Sequence, residues 1–396
     1  MDPRFAPTSR PVGEILDEAR AGRRISAGDA HRLLLDGDLL ELGLAAHEIR
    51  NRWNDPAEAT YNVDRNINYT NVCVYKCRFC AFYRPPGDEG GYLLPYEEIG
   101  EKIEETLALN GTGILLQGGV NPDLPLQYYI DLVTFIRERY PAIHRHCFSP
   151  PEIKFIAKKE RMSFHDVLAR LKAAGLQSIP GGGAEILSDR IRKEVLAQPK
   201  ASPDEWIDIM RQAHLLKMRT TATMMYGMGE ELWERVEHLE RIRALQDETG
   251  GFTAFISWTF QHEHTDMPEV PETFAHEYLK TLAVTRLFFD NVRHLQTSWV
   301  TQGKKIGQLG LAFGADDMGS IMIEENVVSA AGAHYQMSQD EMEHLIRAAG
   351  YEPKQRTNLY ERLVSREETA ELAAKYRHAL TPGKRDLASP LLPIVA

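Results

Sequence analysis

Three of the chain's four cysteines fall in one short run, Cys73-Val-Tyr-Lys-Cys77-Arg-Phe-Cys80. Four cysteines in 396 residues are too few for a disulfide scaffold, and their crowding points to metal ligation in a reducing compartment. Structural zinc takes four closed ligands, whereas three thiolates on an iron–sulfur cluster leave one iron free to hold a substrate or cosubstrate. Cys147 is the nearest candidate for a fourth ligand; its alternative is a small, buried, apolar role. Three glycine-bearing segments also concentrate groups that meet ligands: Gln117-Gly118-Gly119, Gly181-Gly182-Gly183-Ala184-Glu185, and Thr223-Met224-Met225-Tyr226-Gly227-Met228-Gly229-Glu230. Glycine lets backbone approach a ligand or simply makes a tight turn. Glu185 can accept hydrogen bonds from paired hydroxyls or cap a helix. Arg190 and Arg192 offer paired N–H donors to a carboxylate, or belong to a solvated helix surface. His262 and His264 offer metal-binding nitrogens, or an ordinary loop.

Short strand-like runs alternate with amphipathic helical stretches, the pattern of parallel βα units. Strands are predicted over 67–73, 113–119, 144–149, 177–180, 220–226, 252–260 and 294–300, with an eighth over 316–320. Helices are predicted over 97–109, 126–139 and 164–174, where apolar residues recur at helical spacing. Ser202, Pro203 and Glu205 mark another helix start, and a last barrel helix runs over about 302–313 to Gly314. The fold class expected is α/β, a (β/α)8 TIM-type barrel over 61–335. A helical segment over 1–60, with Ser26 and Asp29 as a capping pair, precedes it. A C-terminal helical extension and tail over 336–396 follows, opened by Ser338 and Glu341, with 381–396 poorly ordered. In such barrels the active site lies at the C-terminal strand ends, where the cysteine run and the glycine segments would meet.

Acidic residues outnumber basic ones, 57 to 46, and no Lys/Arg block stands out, which argues against nucleic acid and anionic membrane as partners. No run approaches the roughly 20 apolar residues of a membrane span, and the N-terminus lacks a secretory pattern. The expected location is the cytoplasm.

The Cys-x3-Cys-x2-Cys spacing, with Phe79 just before the last cysteine, resembles the signature of the radical S-adenosylmethionine (SAM) superfamily. The resemblance implies a 4Fe-4S cluster on Cys73, Cys77 and Cys80 whose free iron binds SAM, and reductive cleavage of SAM to a 5′-deoxyadenosyl radical. It also implies SAM-binding roles for Phe79, Gln117, Gly118 and Gly119, for Glu185 on the ribose hydroxyls, for Thr223, Met225 and Gly227 on the adenine side, and for Arg190 or Arg192 on the SAM carboxylate. Thr223 stands where the family's motif begins with glycine.

Longer stretches, including Ile67-Asn-Tyr-Thr-Asn-Val-Cys73, Phe148-Ser-Pro-Pro-Glu152 and Ser298-Trp-Val-Thr-Gln-Gly303, are similar to the radical SAM enzymes of the futalosine route to menaquinone, and to their cyclases above all. The similarity covers about residues 12 to 375. It implies removal of the C4′ hydrogen from the ribose portion of dehypoxanthine futalosine and closure of the carbon radical onto the benzoate ring. Loss of one proton and one electron then restores aromaticity, so a base is required. Asp317, at the end of the expected eighth strand, is the first candidate and Glu185 the second. Arg84, Thr297 and Ser298 are candidates for the substrate's carboxylate, with structural hydrogen bonding as their alternative. A reductant such as flavodoxin or ferredoxin is implied. The nearest rival is an aminofutalosine synthase, which adds the adenosyl radical to an enolpyruvyl double bond; a non-catalytic iron–sulfur or zinc protein is the alternative of another class. After Phe260-Gln261 the chain departs from the cyclases' Pro-x-Asn-Thr and reads His262-Glu-His264-Thr265, which puts substrate contacts in that loop in doubt.

Overall fold

The computed structural model describes residues 2–195, 200–333 and 335–363. Ten strands form one all-parallel sheet: β1 (Glu58–Asn62), β2 (Asp64–Ile67), β3 (Gly113–Leu116), β4 (His144–Cys147), β5 (Ser178–Ile179), β6 (Arg219–Tyr226), β7 (Phe252–Thr259), β8 (His294–Gln296), β9 (Asp317–Ser320) and β10 (Glu352–Gln355). Its order is β10-β1-β9-β8-β7-β6-β5-β4-β3-β2. β1 and β2 are consecutive halves of one run broken only at Val63; β1 bonds β9 and β10, and β2 bonds β3. The sheet therefore curls back toward its own start, the TIM-type arrangement expected.

Helices between the strands cover the outside. The helix Leu126–Arg139 has the predicted bounds and buries Leu126, Tyr129, Leu132, Val133 and Ile136. Each such apolar side chain contributes about 1.5–3 kcal/mol on burial. Both predicted capping pairs form: Ser26 with Asp29 at the helix Ala27–Asp36, and Ser202 with Glu205 at Pro203–Leu215. The N-terminal helix Leu39–Trp53 packs on Ala275–Phe288, and no described helix is long and apolar enough to cross a membrane.

Two seams of the sheet are thin, with single backbone pairings at His146↔Ser178 and Gln296↔Asp317. Side chains reinforce the first: Ser178 Oγ bonds His144 Nε2 at 2.7 Å and His146 Nδ1 at 2.6 Å.

Several bounds differ from expectation. The first strand starts at Glu58, inside the segment read as helical, because β1 pairs with β9 and β10, and those partners lie far along the chain. It ends at Ile67, so the approach to Cys73 is a loop held by isolated pairings, Thr70 with Leu93 and Val72 with Arg84. The helix predicted from about 302 starts at Trp299 and is kinked at Gly303, whose φ is 75°. After the expected Ser338 cap and the helix Gln339–Ala348, the chain returns to the sheet as β10, a strand in the region read as wholly helical. The tail over 381–396 lies outside the described residues.

Candidate active site

One cavity of about 290 Å³ opens at the C-terminal strand ends, in the size range of a small-molecule site. Cys73, Cys77 and Cys80 stand on its wall together with Phe79, Gln117, Gly118, Gly119, Glu185, Thr223 and Met225. Ten of the residues singled out in the sequence thus meet in one place.

Backbone bonds anchor the cysteine loop to its neighbours. Cys73 N–H donates to the Arg84 carbonyl at 2.9 Å, Val74 N–H to the Val120 carbonyl at 2.9 Å, and Cys80 N–H to the Cys77 carbonyl at 3.0 Å. The glycine turn beside it must be glycine: a Cβ on Gly119 would lie 2.4 Å from the Val72 carbonyl oxygen, and one on Gly118 2.7 Å from the Tyr69 ring. Burial pushes the Cys73 thiol up to about 11 and raises Cys80 as well. Buried thiols ionise only beside positive charge, which a bound metal supplies.

The donor set fits a three-thiolate cluster and SAM. Among the described residues no group of three or more His, Cys, Asp or Glu is gathered closely enough for a metal ion. The three thiols share one cavity wall and lie near enough to raise one another's pKa, and three thiolates are the ligand set of a cluster with one free iron. Cys147 is fully buried away from that wall, with its thiol raised by burial, as an apolar-type cysteine. His264 Nδ1 lies 3.1 Å from the Ala330 carbonyl oxygen in an exposed loop, with His262 beside it.

On the same cavity wall, Glu185 is held by two cations. Lys200 Nζ reaches Oε1 at 2.7 Å and Arg192 Nη1 reaches Oε2 at 3.2 Å, with all three side chains at most 9% exposed. Lys200 also lies 5.0 Å from the Phe79 ring centroid, a cation–π contact. Burial opposes the Lys200 charge, but Cys77 and Glu185 outweigh it and raise its pKa. Glu185 itself has φ 40°, an unfavoured left-handed conformation following Gly183 at φ 78°. Such strain persists where surrounding contacts enforce it. Here Arg192 supplies them, donating to the carbonyls of Gly183, Ala184, Ile186 and Ala201.

The remaining sequence candidates lie elsewhere. Asp317 opens β9, away from the cavity, fully buried, accepting from Thr60 Oγ1 at 2.5 Å and from Arg356 Nη2 at 2.8 Å. It anchors a buried ion pair and is not on the cavity wall, a placement unlike the one expected of a base. Arg190 pairs with the buried Glu234 and with Glu194 and is not on the cavity wall. Arg192 acts on the Glu185 loop rather than on the cavity. Arg84 clasps the turn after the third cysteine, with Nη1 donating to the Tyr83 carbonyl at 2.9 Å. Thr297 donates to the Gly307 carbonyl at 3.0 Å, and Ser298 Oγ lies 2.9 Å from Thr301 Oγ1. None of Arg84, Thr297 and Ser298 is on the cavity wall, and each makes the structural hydrogen bond that was its alternative. Gly227 sits just past it: its N–H donates to Glu230 Oε1 at 2.8 Å, and its φ of 88° beside Thr273 excludes a side chain.

The wall also includes residues to which the sequence assigned no role, among them Asn68, Lys200, Trp258, Thr259, Val327 and Val328. Trp258 and Thr259 end β7 and were legible as strand-end residues. Lys200 carried no motif, and Val327 and Val328 arrive from a turn beyond β9. Glu325 holds that turn by accepting from the Val327, Val328 and Ser329 N–H groups, each at 2.9 Å.

Residues 67–242 match the Radical SAM superfamily, and residues 249–369 match the CofH/MqnC C-terminal region. A cyclic dehypoxanthine futalosine synthase of Halalkalibacterium halodurans is 47% identical over 88% of this chain and 94% of its own length. The synthase of that name from Streptomyces coelicolor is 45% identical, over 90% of each chain. A 5-amino-6-(D-ribitylamino)uracil–L-tyrosine 4-hydroxyphenyl transferase of Methanopyrus kandleri is 39% identical over 90% of this chain and 98% of its own. Among solved structures, the [FeFe]-hydrogenase maturase HydG shares the fold at TM-score 0.69 and 17% identity, covering 88% of this chain and 76% of that one.

Proposed function

The chain belongs to the radical SAM superfamily and, through its C-terminal part, to the CofH/MqnC group, and from that membership we propose that it converts dehypoxanthine futalosine to cyclic dehypoxanthine futalosine in menaquinone biosynthesis. The observation that carries this reading is the near end-to-end similarity to two synthases of that reaction, at 45–47% identity. The cavity is consistent with it: the cysteines, the glycine turn and Glu185 converge on one volume.

When bound, the 4Fe-4S cluster and SAM supply a 5′-deoxyadenosyl radical by reductive cleavage. Cys73, Cys77 and Cys80 hold the cluster. Glycines 118 and 119 let backbone approach the amino-acid part of SAM, and Glu185, paired with Lys200 and Arg192, accepts from the ribose hydroxyls. Thr223 and Met225 border the adenine side. Phe82, Trp258, Phe260, Val327 and Val328 give the cavity an apolar rim that excludes water and limits side reactions. With Asp317 elsewhere, Glu185 is the sole carboxylate lining the cavity among the described residues. Its two cations suit it to binding hydroxyls rather than to taking a proton. The reaction would run in the cytoplasm with a flavodoxin- or ferredoxin-type reductant.

The 39% identity to hydroxyphenyl transferases favours one second reading, a radical SAM enzyme that joins a tyrosine-derived group to another substrate. Anaerobic incubation of reconstituted, reduced protein with each substrate set decides between them. Cyclised product with release of 5′-deoxyadenosine is expected from dehypoxanthine futalosine alone. Product from the ribitylaminouracil and tyrosine, or an adenosylated product from the enolpyruvyl benzoate, would replace this reading.

A further inference from the structure

Behind the glycine turn lies a second carboxylate. Glu152, in the helix Pro150–Glu160, has no exposed surface. Tyr69 Oη–H donates to its Oε1 at 2.6 Å, Gly118 N–H to the same oxygen at 3.4 Å, and Ser149 Oγ–H to Oε2 at 2.6 Å. These are neutral donors, in contrast to the two cations on Glu185. Burial raises the Glu152 pKa to about 7, the three donors pulling the other way. The titratable groups that face it are Tyr69, Tyr129 and Cys147, each raised by burial and uncharged near neutrality.

Gly118 and Ser149 both line the cavity, so the carboxylate is one bonded group away from whatever fills it. An ionised Glu152 only accepts. It therefore occupies the Ser149 proton and the Gly118 N–H, leaving Ser149 to offer lone pairs to the cavity. A protonated Glu152 frees Ser149 to turn and donate. The ionised state thus makes this wall an acceptor surface of negative potential, suited to a cation.

We propose that Glu152 is the counter-charge for the cationic part of SAM, a positioning residue acting through Gly118 and Ser149. This rests on SAM being the cofactor. An opposite charge nearby favours the ionised carboxylate, so SAM binding expels the Glu152 proton wherever the empty site still holds it. Affinity then rises as pH climbs through about 7. The amino group of SAM titrates close by, at roughly 8, so the variant without a carboxylate supplies the baseline.

The test is equilibrium SAM binding to the anaerobically reconstituted holoprotein between about pH 6 and about pH 8.5, with calorimetry in buffers of different ionisation enthalpy to count protons. Glu152→Gln keeps the shape and removes the charge. It should bind SAM about tenfold more weakly than the parent near pH 8, converge with it near pH 6, and release roughly half a proton less near pH 6.5. Tyr69→Phe removes a donor that stabilises the carboxylate, so the midpoint of the affinity rise should move to higher pH. Equal affinity and equal proton release for parent and Glu152→Gln at every pH would overturn the proposal. If Glu152→Gln does not fold with its cluster, an unmoved midpoint in Tyr69→Phe overturns it instead. Absence of SAM binding by the parent protein would remove the cofactor reading, and this inference with it.

Discussion

Asp317→Asn separates a structural carboxylate from a catalytic one. Asp317 has no exposed surface, and its partner Arg356 is 4% exposed. The pair is joined by Arg356 Nη2 at 2.8 Å and by a second contact through Nε, with Thr60 Oγ1 adding 2.5 Å on the carboxylate. Burial works against the Arg356 charge, and Asp317 outweighs it, so its pKa is raised. Asparagine keeps the shape and leaves that guanidinium buried without its counter-charge, a change that costs about 3–5 kcal/mol. At about 2–4 °C per kcal/mol for a sizeable domain, the melting temperature should fall by roughly 6–20 °C, and in so long a chain toward the lower figure. The assay pairs anaerobic thermal unfolding with turnover of dehypoxanthine futalosine, measured well below the transition and normalised to folded, cluster-loaded protein. Turnover should stay within about twofold of the parent, under about 0.5 kcal/mol of barrier. Adding Arg356→Met should restore much of the stability, because it removes the orphaned charge. An unchanged melting temperature with turnover cut a hundredfold or more would instead make Asp317 a catalytic group.

Changing Cys73, Cys77 or Cys80 to Ala should abolish cluster loading, read as iron and sulfide content, whereas Cys147→Ala should load normally; loss of iron in the latter would make Cys147 a ligand. Glu185→Gln should weaken SAM binding by roughly 10- to 100-fold through the loss of charge-assisted bonds worth about 1.5–3 kcal/mol, and unaltered binding would contradict the ribose role. Burial lowers His144 and His214 to about 4 and His146 and His238 to about 3. With folded values below the unfolded one of about 6.5, the unfolded chain binds more protons, so stability should fall as pH drops from about 6.5 toward 4, by up to about 1.4 kcal/mol per unit for each histidine. Glu152, raised from 4.5 to about 7, works in the opposite sense over much of that window and offsets one of the four. A melting temperature that stays flat from about pH 6.5 to about pH 5 would contradict this balance.

Local chemistry was legible where sequence neighbours enforce it. Both capping boxes close over three residues, and the cysteine run, the glycine turns and most strand positions follow from local composition and apolar pattern, so they reappear at the same residues in the structure. Pairings between distant segments were not legible. β1 and β10 carry no strong alternation and become strands because each finds the other across the sheet. Asp317 was read correctly as a strand residue but assigned to the wrong end. A four-residue strand does not announce which of its termini faces the mouth, and the partner that occupies Asp317, Arg356, lies 39 residues later. Arg192 and Lys200 show the same limit: both pair with the Glu185 carboxylate, Arg192 also holding the carbonyls of its loop, and neither sits in a motif. Glu152 lay inside a recognised stretch, Phe148-Ser-Pro-Pro-Glu152, yet its burial against Tyr69 and Gly118 appears only in three dimensions.

A radical cyclisation begun at ribose C4′ moves the C4′ hydrogen onto the 5′-deoxyadenosyl carbon. The most direct measurement is single-turnover reaction of the reduced protein with dehypoxanthine futalosine deuterated at C4′, followed by mass spectrometry of the 5′-deoxyadenosine released. One deuterium in 5′-deoxyadenosine, matched one for one by cyclised product, is the predicted result. Unlabelled 5′-deoxyadenosine alongside cyclised product, or label that stays in the substrate while adenosine enters the product, would contradict it.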